Sequence, residues 1–127
     1  MRKLMIITLV LFSLNVHAER KWIAISEVNG ARFYALDNPP VIEGRMVRQW
    51  VLVDAKMNTG SPISVMSVAR FDCNQQRMKF LSGYVYDGAM GTGNNVGTPA
   101  DQSDDWQYPM PDGAWGHVSE YVCSFLN

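Results

Sequence analysis

The chain has 127 residues, 47% hydrophobic and 18% charged, with a formal net charge of −1 at pH 7. That is enough for one domain with a real core. Its near-balanced charge shows no basic cluster able to neutralise phosphates, which argues against a nucleic-acid partner.

The chain opens MRKLMIITLVLFSLNVHA, with Arg2 and Lys3 before an apolar run from Leu4 to Leu14, then Val16-His17-Ala18. A charged start, a short apolar centre and small residues at the −3 and −1 positions predict a cleaved signal peptide over residues 1–18. The apolar run falls well short of the roughly 20 residues that cross a bilayer, and no later stretch approaches that length. No cysteine follows it for N-terminal lipid attachment. The expected mature domain is 19–127, exported to the periplasm, the cell surface or the medium.

Export governs the reading of Cys73 and Cys123, the two cysteines of the chain. A metal site needs more ligands than the one histidine of the expected mature domain (His117) and no CxxC supply. A cysteine nucleophile would need His117 as its partner. An even pair in a small exported domain reads instead as a disulfide, Cys73–Cys123, so neither a metal nor a catalytic group is expected.

Trp22–Ile25 and Ala31–Leu36 are short β-like runs separated by Asn29-Gly30, a strong hairpin signal. Asp37-Asn38-Pro39-Pro40 ends the second run, because proline cannot donate to a ladder. Arg45–Asp54 is a longer strand with Val47, Val51 and Val53 on one face and Met46, Trp50 and Leu52 on the other, so both faces look buried. Asn58–Pro62 is a loop. Ser64–Cys73 and Arg77–Asp87 form a hairpin about Asn74-Gln75-Gln76. Val65, Ala69, Phe71 and Cys73 share a face of the first strand, and Met78, Phe80, Tyr84 and Tyr86 share a face of the second.

Gly88–Ser103 holds four glycines and no periodicity and reads as a long flexible loop. Trp106–Pro111 should be extended, since residues before proline avoid the helical region. A helix follows, capped by Asp112, with an apolar stripe of Ala114, Trp115, Val118, Tyr121, Val122 and Phe125. Gly113 and Gly116 weaken it. Cys123 lies well round from the stripe's centre, so either the helix frays before it or the bridge leaves from the flank.

In this order, Trp50-Val51-Leu52-Val53-Asp54, Phe71-Asp72-Cys73 with Arg77 and Leu81, and Tyr86–Gly93 resemble the surface-adhesin protein E family. Asp105-Trp106-Gln107-Tyr108, Pro111-x-Gly113 and Val122-Cys123 complete the likeness, which runs from about Trp22 to Cys123. The resemblance implies an α+β fold, an antiparallel sheet of five to six strands with a C-terminal helix held to it by the disulfide. It also implies adhesion, since the family's namesake binds host matrix and serum proteins from the bacterial surface. The namesake is lipid-anchored, and this chain departs from it there.

Other chemistry is weaker. Gly91–Gly97 is spaced GxGxxxG and is followed by Pro99 where a nucleotide-binding helix would begin. Asp101, Asp104 and Asp105 lack the alternating ligands of a calcium loop. No nucleophile-elbow motif accompanies His117. A non-enzymatic domain without cofactor is therefore expected. Its contact residues are sought in the glycine-rich loop and the aromatic-proline segment: Gly91, Gly93, Asn94, Asn95, Trp106, Tyr108 and Trp115. Trp50 reads as core, whereas Trp106 and Trp115 suit either a core or a contact surface. The expected partner is a protein, a host matrix or serum component, with a homodimer left open. The alternative is a periplasmic accessory protein or an inhibitor, for example of lysozyme.

Overall fold

The structure is a computed structural model that describes residues 20–99 and 105–126. The signal-peptide expectation at 1–18, and Asp101 and Asp104, lie outside these residues. Strands β1 (Trp22–Val28) and β2 (Ala31–Leu36) form an antiparallel hairpin. Its turn residues Asn29 and Gly30 both take positive φ, 51° and 82°, as a tight two-residue hairpin requires. The prolines at 39 and 40 break β2, but the chain rejoins the same side of the next strand as β3 (Val41–Glu43). Thus β4 (Met46–Lys56) pairs with β3 through its first residues and with β2 through Val51–Asp54.

The centre of the sheet is β4 against β5 (Pro62–Asp72), paired in unbroken register from Met46↔Asp72 to Lys56↔Pro62. Next come β6 (Arg77–Tyr86) and the short β7 (Asn95–Gly97). The order is β1-β2-β4-β5-β6-β7, with β3 beside β4, all antiparallel. Helix α1 (Ala114–Cys123) lies across one face, and Cys123 is its last residue. The Cys73–Cys123 disulfide, with Cα atoms 5.7 Å apart, ties the helix to the end of the β5–β6 hairpin. The helix does not fray before the bridge, which leaves from its flank.

Two cores sit on opposite faces. Val118 and Val122 of α1 are fully buried against Ala35, Val47, Val51, Ala69, Phe71 and Met78. Each buried valine contributes about 1.5–3 kcal/mol. The other face buries Tyr34, Leu52 and Met66 with Trp22, Trp50, Tyr86 and Met90 packed around them. Trp50 is therefore a core residue of the second face.

Three details differ from the sequence reading. Tyr84 and Tyr86 do not share a face with Met78 and Phe80, because the register jumps from Val68↔Ser82 to Ala69↔Phe80. Leu81 is the extra residue of a β-bulge, and it inverts the alternation beyond it. The Gly88–Ser103 stretch is not a featureless loop, since it carries a 3₁₀ turn (Ala89–Gly91) and β7. Asp112 does not cap α1. Gly113 holds that position with extended backbone and no side-chain cap, after a turn closed by its own N–H on the Met110 carbonyl at 2.9 Å.

Candidate contact surface at the proline segment

Gln107 makes an isolated antiparallel bridge with Met78 on the outer edge of β6. The two residues exchange main-chain hydrogen bonds of 2.8 Å in both directions. That short pairing fixes the segment and turns its neighbours outward. Tyr108 and Met110 are 67% and 72% exposed, the two most exposed large apolar side chains among the described residues. Trp106 is half-buried, with its ring over the Arg77 guanidinium at 4.2 Å and near the Lys79 ammonium at 5.4 Å.

Beside this ridge lies a cleft of about 510 Å³ between the β5–β6 hairpin, the proline segment and α1. Its walls include Phe71, the disulfide, Pro109, Pro111, Ser119 and Glu120. The Ser119 hydroxyl is buried without a hydrogen-bond partner among the described residues. Arg77 Nε donates to Asp72 Oδ2 at 2.9 Å at the cleft's inner end. Burial pushes the Asp72 carboxyl up, but the hydrogen bond and charge of Arg77 and the Gln75 and Asn74 amides outweigh it and hold it below its ordinary value. The Asp72 carboxylate in turn holds Arg77 above its ordinary value. This pair anchors structure; neither group is poised to exchange protons near neutrality.

The other sequence-singled residues fall elsewhere. Trp115 belongs to the helix-face core, edge-on to Phe33 and Phe80 with ring centroids 5.2 and 5.1 Å away. Gly91, Gly93, Asn94 and Asn95 gather at the opposite end of β6, where β7 meets Tyr86. Their segment folds back over Leu52 and Met66. Ser64 Oγ donates to the Gly88 carbonyl at 2.7 Å and accepts from the Gly91 N–H at 2.9 Å, and Asp54 accepts from the Met90 N–H at 2.9 Å. Met90, Gly91 and Gly93 have φ of 56°, 73° and 86°, so glycine here serves a left-handed turn that closes the second core. Asn94 and Asn95 are exposed. The structure brings Trp106 and Tyr108 together and keeps them apart from the glycine-rich turn.

His117 is exposed near the start of α1, and Asp105 is exposed before Trp106. Among the described residues no three His, Cys, Asp or Glu side chains converge as a metal site would need. No helix of the described residues is long and apolar enough to cross a membrane. Sequence reading missed Met110 and the cleft. The paired prolines flanking Met110 were the available signal, since they hold a side chain out from an extended edge.

An antiparallel sheet with one C-terminal helix tied to it by a disulfide defines a small α+β domain. The chain belongs to the surface-adhesin protein E family, whose model matches residues 22–124. It is similar in fold to Haemophilus influenzae protein E. Crystal form II of that protein is 16% identical with a TM-score of 0.63, over 81% of this chain and 87% of that one. A selenomethionine form is 17% identical with a TM-score of 0.61, over 81% and 85%. Comparison with curated proteins finds no match.

Proposed function

We propose that this chain is an exported, non-enzymatic adhesin-like domain that binds a host matrix or serum protein. Its contact site is the Trp106–Met110 ridge and the cleft beside it. The observation that carries the reading is the outward pair Tyr108 and Met110, exposed on a segment locked to β6 by two main-chain hydrogen bonds. Aromatic and methionine side chains dominate protein contacts, and a rigid support lowers the ordering cost of binding. Family membership supports adhesion. Export proceeds through a signal peptide over 1–18, and mass spectrometry of the secreted form should find Glu19 at its N-terminus.

The test is surface plasmon resonance of the mature chain over immobilised matrix and serum proteins. Tyr108→Ala with Met110→Ala should weaken binding at least about tenfold without changing the thermal midpoint. His117→Ala should leave it unchanged. No binding to any panel member, or full binding by the folded double variant, refutes the reading.

A further inference from the structure

The sheet face opposite α1 carries a separate feature. Register places Arg48, Arg70 and Lys79 directly opposite one another across β4, β5 and β6. With strands ~4.8 Å apart, three cations line up across about 10 Å. Like charges so placed destabilise a sheet. One acid of β3 stands among them: Glu43 Oε1 lies 3.3 Å from Arg48 Nη1 and its Oε2 3.4 Å from Arg70 Nη2. Glu43 leaves most of the guanidinium donors unused, and Arg70 Nε is buried without a hydrogen-bond partner among the described residues. Arg77 joins the row beside Lys79 under the Trp106 ring, and Arg20 lies over the Trp50 ring at 5.5 Å. A chain of net charge −1 thus gathers five cations on one face, beside Glu43 and the Asp72 carboxylate that pairs Arg77.

Next to the row runs a shallow groove of about 610 Å³, lined among others by Arg48, Trp50, Val68, Leu81, Asn38 and Ser82. We propose that this face binds a sulfated polysaccharide, independently of the protein contact at the ridge. Where the groove crosses β4, β5 and β6 the main-chain groups are already used in the ladder, and β3, which borders it through Val41, offers an edge of only three residues. An extended peptide, which docks by adding a strand, needs a longer free edge. The ligand is therefore recognised by side chains. Guanidinium forks match the oxygens of sulfate and carboxylate groups. Asn38 and Ser82 offer hydrogen bonds to sugar hydroxyls, while Val68 and Leu81 meet the apolar C–H faces of the rings. Single-stranded nucleic acid fits less well, because it stacks bases on aromatic rings. Here the Trp50 and Trp106 rings already carry Arg20 and Arg77.

The experiment is calorimetric titration of the mature chain with a size-defined heparin oligosaccharide, at low and at physiological salt. Saturable binding that weakens with salt is expected. Arg48→Gln with Lys79→Gln should raise Kd about tenfold or more and flatten the salt dependence by about two counterions. Glu43→Gln, which releases Arg48 and Arg70, should lower Kd several-fold; misfolding cannot imitate that gain, so this variant decides if the double one fails to fold. No binding at low salt overturns the proposal. So does equal affinity for desulfated heparin, for a DNA oligonucleotide or for polyglutamate of matched charge. A folded double variant that binds as tightly as the parent, or a Glu43→Gln variant that binds no tighter, also overturns it.

Discussion

Gly116 lets α1 lie directly on the Met110 carbonyl: a Cβ there would overlap that oxygen and stand 2.8 Å from the Pro111 carbonyl oxygen. Glycine costs a helix interior about 1 kcal/mol relative to alanine, so on propensity alone Gly116→Ala should stabilise the domain. The contact reverses that sign. The variant must push the proline segment away from the helix, and a net loss of about 1–3 kcal/mol is expected. Urea unfolding checks it, and a variant more stable than its parent would show that the close approach is not held in solution.

The same residue marks where the sequence stops being informative. Gly116 reads as a weak point of a helix until the backbone it touches, five and six residues earlier, is known. By contrast, Asn29-Gly30, the alternation of β4 and β5 and the stripe through Val118 and Val122 depend on local periodicity and are legible. So is the Cys73–Cys123 pair, because export leaves two cysteines few alternatives. The bulge at Leu81 was half visible: Phe80-Leu81 breaks the alternation, and Ser82-Gly83 follows where a strand tolerates a kink. The row of Arg48, Arg70 and Lys79 was not visible, since residues that far apart become neighbours only through register. Tyr108, which the fold leaves exposed, and Trp115, which it packs into the core, could not be told apart. Both are aromatic beside prolines and glycines, and only the direction of each side chain separates them.

The disulfide should be complete and should carry a large share of the stability. Cys73 and Cys123 are 50 residues apart, and closing such a loop contributes roughly 4 kcal/mol. Thiol labelling of the denatured, unreduced protein should give no signal. Replacing both cysteines with alanine should lower the unfolding free energy by about that amount, and a loss under about 1 kcal/mol would place the helix under the control of packing alone.

Acid should loosen the end of the β5–β6 hairpin through Asp72. This carboxyl is 4% exposed and its pKa is lowered in the fold. The unfolded chain therefore binds the proton more readily, so stability rises with pH between the folded pKa and about 3.9. The contribution is fully present above that window and disappears as pH falls through it. Asp72→Asn should cost about 1–3 kcal/mol at pH 7, because it removes the charge that pairs Arg77 and turns one of the two accepting oxygens, bonded by Arg77 Nε and the Gln75 N–H, into an amide donor. The gap in thermal midpoint between variant and parent should narrow near pH 3. A gap that stays constant from neutral to acid would mean that Asp72 acts through packing and not through its charge.

Trp115 and Tyr108 should separate stability from binding. The Trp115 ring stands edge-on to Phe33 at 5.2 Å and to Phe80 at 5.1 Å, bridging the two ends of the sheet face that α1 covers. Trp115→Ala removes both contacts and leaves a cavity between helix and sheet, which should cost about 3–5 kcal/mol. Trp115→Phe keeps an aromatic edge there and should recover part of the loss. Tyr108 is 67% exposed and its hydroxyl reaches only the part-exposed Arg77 side chain, so Tyr108→Ala should change stability by less than about 0.5 kcal/mol. On the proposed ridge the pattern for a protein partner is opposite: Tyr108→Ala weakens binding, while Trp115→Phe binds as the parent does once corrected for the folded fraction. Chemical unfolding and surface plasmon resonance on the same samples give both columns. If the folded Trp115→Phe protein loses affinity and Tyr108→Ala keeps it, the contact surface lies on α1 and not on the proline segment.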